Sequence, residues 1–203
     1  MSEKDVESCR RRPLLPAMRS RRLVVAVSGK PGSGKTTYAR FIAERFNLRY
    51  VSNGSLFRRI AEERGLSLME LHRLAEEDPS IDMEVDRRAI REAEKGGVVV
   101  DGHLAVWVLE DKADLKLLFT APLDIRAQRV AERDGKSLKE ALNNIRSREE
   151  SNRRRALKYY GLDLEDYSAA DLIVNTAKLS VEGIKRLVEV FIEEYLKLHP
   201  EMR

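Results

Sequence analysis

A glycine-rich segment, set between an apolar run and a helical pattern, constrains the fold of this chain more than any other feature. Residues 29–37 read Gly-Lys-Pro-Gly-Ser-Gly-Lys-Thr-Thr, so that Gly29 is followed, after four residues, by Gly34-Lys35-Thr36. The preceding residues 23–27 are uniformly apolar, as in a strand buried on both faces, and the apolar residues after the segment recur at helical spacing. Strand, glycine loop and helix in this order are typical of a phosphate-binding loop.

The residue types of this loop suit a bound polyphosphate. Glycines allow backbone N–H groups to approach an anion closely, and the first turn of the following helix adds free N–H donors and a favourable dipole. Lys35 supplies a mobile positive charge, and the Thr36 hydroxyl is a suitable ligand for Mg²⁺. The segment therefore predicts a site for ATP with Mg²⁺. Its candidate ligands are Gly29, Lys30, Pro31, Gly32, Ser33, Gly34, Lys35, Thr36 and Thr37.

Length and composition describe one charged globular domain. The chain has 203 residues, of which 42% are hydrophobic and 35% are charged. No apolar run approaches the roughly 20 residues of a membrane span. Cys9 is the only cysteine, so an internal disulfide is excluded. A cytoplasmic protein without a membrane partner is expected.

The positive charge is confined to the amino terminus. Residues 1–22 hold seven basic and three acidic side chains, and this excess accounts for the whole net charge of +4. Residues 23–203 are neutral, so a nucleic-acid partner is not expected. Residues 1–22 also contain Pro13 and Pro16 and lack an amphipathic period, which predicts a disordered basic arm. Anion binding by this arm remains an alternative.

Strand and helix patterns alternate along the rest of the chain. Helical segments lie between the apolar runs, two of them opened by capping boxes, Ser67 with Glu70 and Ser137 with Glu140. This alternation predicts an α/β fold, a doubly wound parallel sheet of five strands with the phosphate loop after the first. The five predicted strands are residues 23–27, 48–51, 98–100, 115–119 and 171–174.

Two basic constellations indicate a second substrate. The first is the turn Asn53-Gly54-Ser55-Leu56-Phe57-Arg58, which leads into a helix, and the second is the arginine-rich segment 148–155. A phosphate acceptor is already an oxyanion, so it needs no strong base but does need arginines, whose planar forks bind phosphate bidentately. Within a domain of residues 23–203, we therefore predict a helical insertion at about 54–96 for the acceptor and an arginine-rich lid at about 134–158.

These motifs together resemble one enzyme family. The phosphate loop, the Asn53–Arg58 turn and the arginine-rich lid resemble nucleoside monophosphate kinases, and the best match is the archaeal-type cytidylate kinases. The resemblance runs from about Val24 to Leu196. It is carried further by Glu63–Leu68, Ile81–Arg88, Asp101-Gly102 with Leu104, Ala105 and Trp107, Tyr160-Gly161, and Asp171–Thr176.

The resemblance implies direct in-line transfer of the γ-phosphoryl group of ATP to CMP, and also to dCMP. A monomer is the default expectation. It implies catalytic roles for Lys35, Arg148 and Arg155, and donor contacts for Arg129 and Arg133. Asp101 would act on Mg²⁺ through a bound water. The acceptor nucleotide would be contacted by Asn53, Arg58, His103, Arg148, Asn152 and Arg155.

His103 departs from the family pattern, which usually has arginine after the glycine that ends strand three. Imidazole is largely neutral at pH 7 and lacks the guanidinium fork, so it binds phosphate less firmly than arginine does. We therefore expect that His103→Arg lowers the KM for the acceptor.

Other functions remain open at this point. One alternative is a kinase for AMP, UMP or an alcohol; an alcohol acceptor requires a carboxylate base, for which Asp101 is the candidate. Another is a noncatalytic module in which nucleotide binding switches a partner interaction. Neither the preference among CMP, dCMP and UMP nor the oligomeric state is determined by the sequence.

Overall fold

The protein is described by a computed structural model that covers residues 22–203, apart from the side chains of Leu68, Met69 and His72. The predicted basic arm therefore lies outside the described residues, except for Arg22. A five-stranded, fully parallel sheet with strand order β2-β3-β1-β4-β5 forms the centre, which confirms the predicted α/β class. The strands are β1 (Val24–Gly29), β2 (Arg49–Ser52), β3 (Val98–Asp101), β4 (Leu115–Thr120) and β5 (Leu172–Asn175).

Helices cover both faces of the sheet. In chain order they are α1 (Lys35–Arg45), α2 (Asn53–Glu63), α3 (Leu68–Glu77), α4 (Pro79–Glu94), α5 (Ala105–Val108), α6 (Leu123–Asp134), α7 (Leu138–Tyr160) and α8 (Val181–Leu198), followed by a 3-10 turn at Pro200–Met202. In the part of the chain from residue 22 onward, none of these helices has the length and apolar character to cross a membrane.

Strand β1 is central because it is apolar on both faces. Val25 pairs with Val99 of β3 on one side and with Leu115 of β4 on the other. Side chains at alternate positions of β1 point into two separate cores, one formed with α1 and α8 and the other with α4 and α5. The carboxyl ends of β1 and β3 lie side by side, which brings the phosphate loop next to Asp101.

Helix ends follow local sequence rules. Both predicted capping boxes are present, at Ser67 with Glu70 and at Ser137 with Glu140. Helix α7 ends at Tyr160, because the next residue, Gly161, adopts a left-handed conformation with φ 67°. Helix α2 already begins at Asn53, because the Ser52 hydroxyl accepts a hydrogen bond from the Ser55 N–H. The predicted turn at Asn53–Arg58 is therefore part of a helix.

The helices α2, α3 and α4 form a small unit with its own core, which we call the insertion (residues 53–94). Its apolar core joins Phe57, Ile60 and Leu71 to Ile81 and Val85. Partly exposed ion pairs also join its helices, since the guanidinium of Arg88 contacts the carboxylates of Glu63 and Glu84.

Candidate active site

The loop after β1 has the conformation of an anion-binding loop. A Cβ atom at Gly29 would overlap the carbonyl oxygen of Phe119, so only glycine fits there. Gly34 adopts φ 87° at the N-cap of α1 and offers no side chain to cap the helix. The first N–H groups of α1 therefore remain available for a bound anion.

Lys35 lies in a strongly cationic environment. Burial lowers the pKa of its ammonium; Asp101 opposes this effect, and Arg148 and Arg133 add to it. Burial and the neighbouring Arg133 likewise lower the pKa of Arg148. Neither Lys35 nor Arg148 forms a salt bridge within residues 22–203. Three predicted cations thus gather at the amino end of α1, where a polyanion would relieve their mutual repulsion.

Asp101 is held at the carboxyl end of β3 by two hydroxyl groups. The Thr36 hydroxyl donates to its Oδ2 at 2.7 Å, and the Tyr50 hydroxyl donates to the same oxygen at 2.8 Å. Its Oδ1 is buried and has no hydrogen-bond partner among the described residues. A buried carboxylate oxygen beside the loop threonine suits a water molecule bound to Mg²⁺.

The described residues bring no three His, Cys, Asp or Glu side chains together as a metal site. A cation at Thr36 and Asp101 would therefore need oxygens from the triphosphate itself, as is usual for Mg²⁺ in kinase sites. The residues present fit a metal that arrives with the nucleotide.

On the insertion side, Asn53 and Arg58 lie on the first two turns of α2. Asn53 is buried, its Oδ1 has no partner within the described part of the chain, and it fills space left by the absent side chain of Gly102. A Cβ at Gly102 would lie 2.7 Å from Asn53 Cγ, so glycine is required there. Arg58 is exposed.

His103 is half-buried between β3 and α5. Burial lowers the pKa of its imidazole to about 3, with further lowering by the cations Arg155, Lys35 and Arg148. The ring is therefore neutral at pH 7, as expected from its residue type.

Helix α7 carries the predicted acceptor residues Arg148, Asn152 and Arg155. The Arg155 guanidinium makes two hydrogen bonds to the carboxylate of Asp82 on α4, at 2.7 and 2.6 Å, and donates to Asn152 Oδ1 at 3.0 Å. Both partners of the ion pair are 13% exposed, and Arg155 Nε is buried without a partner among the described residues. The pair links α7 to the insertion, and the free Nε–H is a donor available to a ligand.

Three arginines share one face of α6, with unequal surroundings. Arg126 is 5% exposed, donates to the carbonyls of Ala121 and Pro31 at 2.9 and 3.1 Å, and pairs with Glu149 of α7. Arg129 donates to Thr176 at 2.9 Å and so lies behind the loop, whereas the exposed Arg133 pairs with its neighbour Asp134.

Sequence reasoning missed four residues of this region. Arg126, Asp82, Asp86 and Tyr50 all contact predicted site residues or elements that carry them. Asp82 and Asp86 had a signal because they lie in the segment Ile81–Arg88 that carries the family resemblance. Arg126 had one because it shares the i, i+3, i+7 face of α6 with Arg129 and Arg133.

A cavity of about 360 Å³ lies beside the phosphate loop. It is bounded by Lys30, by Trp107 of α5, by the carboxyl end of β4 and by α7, and Tyr167 closes one side. His103 and Asn152 also line it, so it is continuous with the predicted acceptor side.

Comparison with known proteins agrees with this geometry. The family model described as "Cytidylate kinase-like family" matches residues 24–178. The chain is 51% identical over 175 residues to "Cytidylate kinase" from Staphylothermus marinus, covering 86% of this chain and 99% of that protein. It is 52% identical over 162 residues to "Cytidylate kinase" from Aeropyrum pernix, covering 80% of this chain and 94% of that protein.

A solved shikimate kinase from Bacteroides thetaiotaomicron is similar in fold, with a TM-score of 0.59 at 16% identity over 84% of this chain and 98% of that one. At this identity the likeness concerns the fold alone. The family model and the two curated relatives cover most of the chain, and the protein belongs to the cytidylate kinase-like family.

Proposed function

We propose that the protein transfers the γ-phosphoryl group of ATP to CMP, giving ADP and CDP, and that dCMP is a second acceptor. The observation that carries the proposal is a pair of cations at the amino end of α1, Lys35 and Arg148, which form no salt bridge with any of the described residues 22–203. The curated relatives named "Cytidylate kinase", about half identical to this chain, support CMP as the acceptor.

The donor half of the site is the phosphate loop, residues 29–37. Its free N–H groups and Lys35 would bind the β- and γ-phosphates, and Arg133 would approach them from α6. Arg129 already donates to Thr176 and lies at the back of the loop, so we assign it to the edge of the adenosine site. Mg²⁺ would be held by Thr36 and, through water, by Asp101, and it would neutralise charge on the transferring phosphate.

The acceptor half lies between the insertion and α7. Arg58 and Arg148 would bind the phosphate of CMP, because guanidinium forks match phosphate oxygens. Asn53 and Asn152 would contact the sugar or base, and neutral His103 would donate a single hydrogen bond. Arg155, held by Asp82, would direct its Nε–H, which has no partner within residues 22–203, towards the nucleotide.

The reaction needs positioning more than proton transfer. An oxygen of the CMP phosphate is already anionic; it attacks the γ-phosphorus while the bond from that phosphorus to the β-bridging oxygen breaks, and ADP leaves. No base has to remove a proton from the attacking oxygen. Lys35 and Arg148 would stabilise the charge that spreads over the transferred group.

We further propose that residues 134–158 act as a lid over the nucleotides and that residues 54–96 bind the acceptor, within one kinase domain of residues 23–203. Closure of these two segments would exclude water, which would otherwise hydrolyse the γ-phosphate.

The test is acceptor-dependent ADP production, measured by a coupled assay with CMP, dCMP, UMP, AMP and a hydroxyl acceptor. CMP and dCMP should give the highest kcat/KM, and ATP consumption without an acceptor should be negligible. Lys35→Met should reduce kcat by at least about a hundredfold. Lys95→Met, which removes an exposed lysine just after the carboxyl end of α4, is the matched control and should leave kcat unchanged. Equal turnover of CMP, UMP and AMP would exclude the specific assignment.

A further inference from the structure

The insertion and α7 meet through polar contacts. The apolar core of the insertion includes no α7 side chain among the residues that the structure describes. The contacts that join the two are hydrogen bonds and an ion pair, at Arg155–Asp82, Tyr160–Asp86, Tyr159–Glu76 and Ser151–Glu76. The position of the insertion relative to α7 therefore depends on these polar contacts.

The contact between Tyr160 and Asp86 is the most buried hydrogen bond of this boundary apart from the ion pair. The Tyr160 hydroxyl donates to Asp86 Oδ2 at 2.5 Å, and Asp86 is only 6% exposed. Asp86 lies one turn after Asp82 on α4, and Tyr160 lies five residues after Arg155 on α7. The two contacts therefore hold the same pair of helices at neighbouring points.

Neither Asp86 nor Tyr160 is among the residues assigned above to a nucleotide. Tyr160 is the last residue of α7, before the left-handed Gly161, so its position is fixed by the end of the helix. Asp86 follows the apolar positions Ile81 and Val85, which anchor α4 in the insertion core. A hydrogen bond between two well-anchored positions fixes the separation of the elements that carry them.

We propose that Asp86 and Tyr160 are positioning residues that hold the insertion against α7, so that Arg58 and Arg155 converge on the acceptor. This proposal rests on the acceptor site proposed above. Losing the hydrogen bond lets the insertion move away from α7, which weakens acceptor binding and leaves the donor loop unaffected. Asp86 and Tyr160 thus determine the KM for CMP although neither residue contacts CMP.

The test uses three variants at the two residues of this hydrogen bond. Tyr160→Phe removes the donor and Asp86→Ala removes the acceptor, whereas Asp86→Asn keeps an acceptor oxygen. We expect the first two to raise the KM for CMP at least fivefold with the KM for ATP within twofold of wild type, and Asp86→Asn to restore the wild-type value. Tyr195→Phe, a hydroxyl deletion on α8, is the control.

A second measurement reports the positioning without substrate or turnover. Spin labels on cysteines introduced at the exposed positions Arg87 of α4 and Arg154 of α7, in a Cys9→Ser background, give the separation of the two helices by electron paramagnetic resonance. The distance distribution should broaden or lengthen in Tyr160→Phe and stay narrow in Asp86→Asn.

The two measurements separate this proposal from the function itself. A distribution unchanged in Tyr160→Phe overturns the positioning role, whatever the enzyme phosphorylates, and so does a KM for CMP that stays within twofold of wild type. Failure of wild-type protein to phosphorylate CMP would overturn the proposed function and leave the distance result standing.

Discussion

Loss of the Arg126 side chain should lower the stability of the folded protein strongly. Its guanidinium is 5% exposed, donates to the carbonyls of Ala121 and Pro31, and pairs with Glu149. Arg126→Ala leaves two carbonyl oxygens and a partly buried carboxylate without their donor. Removing one partner of a buried ion pair costs about 3–5 kcal/mol. For a domain of this size that corresponds to a fall in Tm of roughly 10 °C.

The measurement is thermal and urea unfolding of wild type and variant, with the KM for ATP as a second readout. That KM should rise, because the Pro31 carbonyl belongs to the phosphate loop and loses its anchor. Arg45→Ala is the matched control: Arg45 also contacts two carboxylates, Glu189 and Glu193, but on an exposed surface. Its loss should destabilise the protein far less than the loss of Arg126, and salt should reduce the effect further.

A double variant tests whether the unpaired charge of Glu149 causes the loss of stability. In Arg126→Ala with Glu149→Gln the unpaired charge is gone, so part of the lost stability should return. Two results would contradict this expectation. One is an equal loss of unfolding free energy in Arg126→Ala and Arg45→Ala, and the other is a double variant in which the losses of Arg126→Ala and Glu149→Gln simply add.

Three further outcomes are expected. Burial raises the pKa of Asp86 from its ordinary 3.8 to about 6; Asp82 adds to this effect, and Tyr160 and Arg155 oppose it. Because the folded protein therefore binds this proton more tightly than the unfolded chain does, the free energy of unfolding should fall by about 3 kcal/mol as pH rises from 4 to 7. Asp86→Asn should gain that amount relative to wild type across this range, in unfolding measured against pH; a constant difference would contradict it. His103→Arg should lower the KM for CMP in steady-state assays, and an unchanged or higher value would contradict the neutral-imidazole argument. Asp101→Asn should raise the Mg²⁺ concentration for half-maximal activity about tenfold, measured by Mg²⁺ titration at fixed ATP, and no change would remove Asp101 from the metal site.

Much of the fold was predictable because its signals are local. The apolar run before the phosphate loop and both capping boxes are read from neighbouring residues, and the structure has each of them. The short helix α5 was not predicted, since its four residues carry no period of their own and are ordered by packing on β1 and β3.

The candidate site was predictable in its residues and less so in its contacts. The arginine-rich segment indicated a phosphate site, but the sequence does not reveal that Arg155 pairs with Asp82, 73 positions away. Nor does it separate Arg126, which is buried behind the loop, from Arg133, which is exposed and pairs with Asp134. Such partners depend on how two helices pack, which local pattern does not encode.

Helix α7 connects these separate observations. At Glu149 it contacts Arg126, which binds the donor loop at Pro31, and at Tyr160 it contacts Asp86 of the insertion. Eleven residues of one α-helix separate the two contacts, or about 16 Å at 1.5 Å per residue. Variants at the two ends of α7 should therefore act on different substrates: Arg126→Ala on the KM for ATP and Tyr160→Phe on the KM for CMP. The alignment of the two nucleotides depends on α7 because this one helix contacts both the residue that holds the donor loop and the insertion.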